Sequence, residues 1–221
     1  MKLRTRLRAL FIIILLFWAY PNITSLIIGS ILIIIGQIIH FISAGYLVKQ
    51  EKLITAGPYR YVRNPFYVGS FLVDVGLCIV TQNIYVAIVY LPIFYLIVIP
   101  RRVRKEEEFL KEQFGDKYIE YCRLVPRFIP RLLPAPLTEL HGHFDWQLIF
   151  KYREQWRLVR ILGLIIFFYL RLIIIPVNWN NFIKHLSEPL NIVLVIILLV
   201  ILCLPPIYEF IIKPLWKMIR K

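Results

Sequence analysis

Cysteine, histidine and acidic side chains are all scarce in this chain of 221 residues, which holds 3 cysteines, 4 histidines, and 13 Asp and Glu against 27 Lys and Arg. Cys78, Cys122 and Cys203 show no CxxC spacing, and two of them fall inside apolar stretches. Neither a disulfide framework nor a zinc site is indicated, and the three read as small core residues. His141 and His143 alternate near Asp145, but no further ligand run supports them, so no metal is expected. An internal inverted repeat is also missing, which counts against a transporter. No small-residue cleavage site follows the first apolar stretch, so the basic N-terminus is expected to stay as a first helix rather than leave as a signal peptide.

What the chain has in excess is apolar side chains, at 59% of its residues and with long runs of Ile and Leu. That is too apolar for an ordinary soluble domain and implies an integral membrane protein. Length and punctuation place apolar segments at 7–20, 26–48, 66–80, 84–99, 160–176 and 189–212. The expected fold is therefore all-α: a polytopic transmembrane bundle of about six segments with a cytosolic amphipathic helix. The first, third and fourth segments are short, so tilt or local thinning is in play. Residues 1–131 read as the core, 132–158 as a linker marked by Pro134-Ala135-Pro136, and 159–221 as an added hairpin with a basic tail.

The net charge of +14 does not point to nucleic acid, because the basic residues sit beside apolar spans; anionic lipid headgroups are the expected partner. Lys2, Arg4, Arg6 and Arg8 precede the first segment, and Lys49, Lys52, Arg60 and Arg63 follow the second. Arg101 onward follows the fourth, and Lys213, Lys217, Arg220 and Lys221 close the chain, whereas the opposite side offers Lys184 alone. The positive-inside rule then puts both termini in the cytosol.

One run stands out, Gly57-Pro58-Tyr59-Arg60-Tyr61-Val62-Arg63-Asn64-Pro65-Phe66-Tyr67-Val68-Gly69. Interfacial tyrosines and arginines often serve only as a membrane belt. Here Gly57-Pro58 and Asn64-Pro65 bend the backbone twice, expose amides to a ligand, and hold Arg60 and Arg63 on a constrained scaffold suited to a carboxylate or phosphate. The segment 102–122 reads as an amphipathic helix with a break at Gly115-Asp116. Val103, Glu107, Leu110, Phe114, Tyr118 and Tyr121 share its apolar face, so Glu107 must meet an arginine or a cationic ligand. Glu106 and Glu107 are the candidate site carboxylates, while Glu108 and Glu112 belong to a solvated face beside Lys105 and Lys111.

These two stretches resemble the signature of the membrane-embedded methyltransferases that include isoprenylcysteine carboxyl methyltransferase and the phospholipid N-methyltransferases. That pattern is RHPxYxG, a helical hairpin, then an EE pair with a downstream FG and spaced tyrosines. Arg63, Pro65, Tyr67 and Gly69 match its first part, Glu106 and Glu107 the pair, and Phe114, Gly115, Tyr118, Tyr121 and Pro130 the tail, over about residues 45–131. The resemblance implies S-adenosylmethionine as cofactor, in a cytosolic-side pocket open laterally to the bilayer, and a lipophilic acceptor with a carboxylate or an amine. It implies Gly57, Pro58, Tyr59, Arg63, Asn64, Pro65, Tyr67, Glu106, Glu107, Tyr118 and Tyr121 as cofactor-binding residues, with Arg102 and Glu107 in catalytic roles. The cofactor's cations suit carboxylates and aromatic faces, and its carboxylate suits an arginine. Asn64 departs from the pattern, standing where histidine is usual, and cannot carry charge near neutral pH.

Two rival readings stay open: a membrane reductase using NADPH on a sterol-like lipid, whose phosphates the arginines suit and the EE pair repels, and a non-enzymatic transporter or scaffold. Asp74 and Arg171 lie inside apolar spans, where an ionisable group is a functional candidate; the structural reading is that they pair with each other or, for Arg171, snorkel to an interface. His40 reads as a helix-packing residue.

Overall fold

A computed structural model describes residues 3–47, 52–137 and 139–174, with residues 193 and 196; apart from those two residues, the expected last segment, 189–212, lies outside the described residues, as do Cys203, Lys184 and the basic tail. Met1–Glu154 and Gln155–Lys221 form two compact units. The described residues hold helices and no strand.

In the first unit, α1 spans Leu3–Phe17 and α2 spans Ile23–Tyr46. Asn22 starts α2 with a reciprocal cap: its side chain accepts from Ser25 N at 2.7 Å while Ser25 Oγ accepts from Asn22 N at 3.0 Å. A 3-10 turn over Gly57–Arg60 leads to α3, Pro65–Thr81. Proline suits the first turn of α3, where its missing N–H would have no helical acceptor. Gln82, left-handed at φ +54°, and Asn83 reverse the chain into α4, Ile84–Pro92. The Asn83 carboxamide accepts from Val86 N at 3.0 Å and donates to Trp18 O at 3.2 Å, and the Gln82 side chain donates to Tyr20 O. One turn thus ties the ends of α1, α3 and α4 together.

The fourth apolar segment, 84–99, and the helix expected from 102 are one continuous element. From α4 the chain passes through a π-helical turn, Ile93–Val98, directly into α5, Ile99–Phe114, as one helical rod. Pro92 and Pro100 bracket that turn, and neither donates a backbone hydrogen bond, so the wider turn absorbs the gap without ending the helix. The apolar span is therefore rigidly continuous with the charged helix that carries Glu106 and Glu107. The rod ends where the sequence predicts, at Gly115 with φ +53°, and α6 follows as Asp116–Leu124.

Helices α2 and α3 pack through two pairs of glycines. A Cβ on Gly36 would come within 2.6 Å of Gly69 O, and one on Gly29 within 2.5 Å of Gly76 O; the reverse approaches are equally tight. Seven-residue spacing on both helices lets the backbones touch at two levels, the close packing that membrane helices use in place of a hydrophobic driving force. The outer face of α2 presents Ile27, Ile31, Ile34, Ile35, Ile38 and Ile42. Ile23–Tyr46 and Ile84–Phe114 are long and apolar enough to cross a membrane; Pro65–Thr81 is apolar and shorter.

Asp74, wholly buried in α3, pairs with Arg8 of α1 at 2.7 Å and accepts from the Tyr90 and Tyr95 hydroxyls at 3.1 and 2.7 Å. A carboxylate this fully partnered is tolerable among apolar helices. His40 Nε2 lies 3.2 Å from Ser70 Oγ beside the Gly36–Gly69 contact, a helix-packing position.

The stretch expected as a linker is packed down over much of its length. Ala135 N donates to Arg60 O at 2.9 Å, His141 O accepts from Thr55 and Ala56 at 3.0 and 3.2 Å, and Asp145 N donates to Gly45 O at 2.8 Å. Asp145 also caps α7, Trp146–Lys151, through Gln147 N. Glu139 sits 3.3 Å from His141. The second unit carries most of α8, Glu154–Ile174, where Phe167 and Phe168 meet edge to face at 5.4 Å.

Candidate functional site

The helical phase of α5 and α6 decides which carboxylates turn inward. Val103, Tyr118 and Tyr121 are buried, Glu107, Leu110 and Phe114 half-buried, and Glu108 and Glu112 exposed. This is the predicted stripe, with Glu107 on it.

Glu107 meets two arginines. Its Oε1 accepts from Arg63 Nη1 at 2.8 Å and Arg127 Nε at 3.0 Å, and its Oε2 accepts from Arg127 Nη2 at 2.5 Å. The carboxylate is 12% exposed, and the Arg63 and Arg127 side chains are 14% and 43% exposed. Arg63 Nη1 also lies 2.9 Å from Cys122 Sγ, so this cysteine partners a charge rather than simply filling the core. The hydrogen bond to Glu107, ahead of the opposing cost of burial, raises the affinity of Arg127 for its proton. Glu106, one residue earlier, faces a separate group. It pairs with Arg102 at 2.8 Å and accepts from the Tyr67 hydroxyl at 3.3 Å, while that hydroxyl accepts from Arg102 Nε at 3.0 Å. Glu106 is 43% exposed, which makes it the more accessible of the two carboxylates.

The loop that begins the site is tighter than its sequence suggests. Gly57 takes φ +60°, and a Cβ there would run into the Tyr46 ring. The amides of Tyr59, Tyr61, Val62 and Arg63 are spent on Ala56, Pro58, Pro58 and Pro126 carbonyls, so these four do not face a ligand. Arg60 donates to Ala135 O at 3.1 Å and acts as a brace. Asn64 takes no side-chain cap role on α3; its Nδ2 donates to Arg127 O at 3.2 Å, holding the segment that presents the Arg127 guanidinium.

Tyr59, Tyr118 and Tyr121 are all buried. Tyr121 OH donates to Tyr59 O at 2.8 Å, and Tyr59 OH donates to Ser43 O at 3.3 Å, a chain of struts from α6 through the 3-10 turn to α2. Burial above all pushes the three phenols above the ordinary tyrosine range, so they stay neutral. Pro58 and Pro65 set the two bends. The structure thus brings together Arg63, Asn64, Tyr67, Arg102, Glu106 and Glu107, and places Gly57, Pro58, Tyr59, Pro65, Tyr118 and Tyr121 behind them.

Arg127 escaped the sequence reading. It lies in the irregular Pro126-to-Pro130 stretch, which has no period to phase a side chain, and only the unmatched inward carboxylate of Glu107 hints at a second arginine.

Residues 20–117 match the model of the phospholipid methyltransferase family. The cobalt-zinc-cadmium resistance protein CzcN of Cupriavidus metallidurans is 37% identical over 84 residues, 38% of this chain and 38% of that protein. Protein-S-isoprenylcysteine O-methyltransferase B of Arabidopsis thaliana is 32% identical over 114 residues, 46% of this chain and 57% of the relative. The Schizosaccharomyces pombe protein-S-isoprenylcysteine O-methyltransferase is 33% identical over 106 residues, covering 48% and 44%. The chain thus spans between 38% and 57% of the length of these curated relatives. No solved structure matches.

Proposed function

We propose, from the match of residues 20–117 to the phospholipid methyltransferase family and the likeness to isoprenylcysteine O-methyltransferases, that this chain transfers a methyl group from S-adenosylmethionine to a lipophilic acceptor at the cytosolic face of its membrane. The observation that carries the reading is the junction between span and charge. Glu106 and Glu107 stand on a helix continuous with the apolar rod, and the motif residues Arg63 and Tyr67 meet them from the loop and α3.

The donor set fits the cofactor's chemistry. Glu106, half-exposed, suits the ammonium, while Glu107, clasped by Arg63 and Arg127, holds the two arginines in place. Arg63 Nε is buried with no hydrogen-bond partner, an orphaned donor suited to a carboxylate. When bound, the cofactor supplies an activated methyl group on sulfur. The chain's part is alignment and exclusion of water: Tyr67 and Arg102 form a hydrogen-bonded bridge to Glu106 that positions an acceptor head, and Tyr67 and Phe128 both pack against the Phe94, Ile99 and Val103 cluster. A carboxylate acceptor needs no base, whereas an amine must first lose a proton. Cytosolic termini and anionic lipid contacts belong to the same proposal and rest on the placement of arginine and lysine.

The test is calorimetric titration of the detergent-purified protein with S-adenosylhomocysteine, with NADPH in parallel. Selective S-adenosylhomocysteine binding leads to an acceptor screen with methyl-labelled cofactor. Selective NADPH binding overturns the proposal in favour of a reductase, and binding of neither removes the cofactor reading.

A further inference from the structure

Ile129, Leu132 and Leu133 are 81%, 98% and 74% exposed, three large aliphatic side chains turned outward within five residues. The segment is not slack. Arg131 N donates to Tyr61 O at 3.0 Å, Arg131 Nη1 to Leu124 O at 2.9 Å and its Nε to Leu133 O at 3.3 Å. Pro126 O accepts from Arg63 N at 2.9 Å, and Ala135 N from the far side holds Arg60 O at 2.9 Å. Pro126, Pro130 and Pro134 stiffen it further. A tip this well held would not expose such side chains to water without something to cover them.

Its depth says what covers it. Phe128 packs into the cluster of Phe94, Ile99 and Val103 with Leu7 and Tyr67, the level at which the apolar rod gives way to Arg101 and Arg102. Phe128 thereby sets the tip at the boundary where headgroups meet acyl chains. Arg127 precedes the tip, Arg131 lies within it, and the whole chain carries +14.

We propose that residues 129–133 form a membrane wedge: Ile129, Leu132 and Leu133 enter the acyl boundary of an anionic leaflet, and Arg131 lies against its phosphates. A protein partner is disfavoured because the tip stands at the depth of the acyl boundary and residues 127–133 carry two arginines and no acidic residue, a charge complementary to anionic lipid. The wedge leads directly from Arg127, so the membrane surface holds the arginine that closes on Glu107. The inference does not depend on which reaction the site performs.

The test places photoreactive p-benzoylphenylalanine at position 132, at 129, or at exposed Glu112 as control, with the full chain in nanodiscs of phosphatidylcholine with or without phosphatidylglycerol. Adducts are read by mass spectrometry, and size-exclusion profiles check folding. Lipid adducts at 132 and 129 but not at 112, enriched in phosphatidylglycerol and losing that enrichment in Arg131→Gln, are expected. Equal lipid labelling at 112, or absence of lipid adducts at both tip positions, overturns the wedge. Chain-to-chain adducts overturn it in favour of a second copy, and equal yields in both nanodiscs overturn its anionic preference.

Discussion

Arg127 reaches Glu107 across an irregular loop and binds both carboxylate oxygens, at 3.0 and 2.5 Å, while Arg63 takes Oε1 from the other side at 2.8 Å. One carboxylate thereby joins the motif loop, α5 and the segment after α6. Its neighbour Glu106 is left to Arg102 and Tyr67, which splits two adjacent carboxylates between a clasp and an accessible group.

Glu107→Gln leaves the largely covered Arg63 and the exposed Arg127 without their anion. The expected cost is about 1.5–3 kcal/mol, in the range of hydrogen bonds to charged groups, together with weaker S-adenosylhomocysteine binding. Thermal melts and calorimetry read the two effects separately. Unchanged affinity in a folded variant would remove Glu107 from the cofactor site.

Tyr67→Phe deletes the hydroxyl between Arg102 and Glu106 but keeps the ring that packs against Phe94, Ile99 and Val103. A fall of about tenfold or more in kcat/KM with little change in melting temperature is expected, because hydrogen bonds to charged groups are lost while packing stays. Equal loss of stability and activity would make Tyr67 a structural residue.

Glu108→Gln and Glu112→Gln touch exposed side chains on the far face of α5 and should shift stability by no more than about 0.5 kcal/mol and leave turnover unchanged. A large loss at either position would mean that the helix presents a different face to the site.

Asp74→Asn breaks the ion pair with Arg8 and strands a guanidinium among apolar helices, at about 3–5 kcal/mol by analogy with buried pairs. Adding Arg8→Leu should restore part of the stability, and a double-mutant cycle in detergent measures the coupling. Additive losses would show that the two residues act independently.

The buried phenols of Tyr59, Tyr118 and Tyr121 lie above the ordinary value of 10.0, so the folded chain keeps their protons after the unfolded chain has lost them. Stability from these groups is complete below that value and declines as pH rises beyond it. In an alkaline ultraviolet titration, part of the tyrosinate absorbance should appear only together with loss of helical circular dichroism. Full tyrosinate absorbance before unfolding would contradict their burial.

Much of this was written locally. The stripe from Val103 to Tyr121 follows from a period of about 3.6 residues, so sequence alone turned Glu107 inward and Glu108 outward, and Gly115 marked the end of the helix. The bends at Gly57-Pro58 and Asn64-Pro65 were equally legible, because proline and glycine restrict or free the backbone by themselves. Tertiary structure decided the partners. Arg127 meets Glu107, Asp74 meets Arg8 and the glycines of α2 meet those of α3 only because distant segments are brought together, and no local period encodes such distances. The continuous rod from Ile84 to Phe114 was likewise hidden, since a π-helical turn absorbs Pro92 and Pro100 at a point where local rules predict a break.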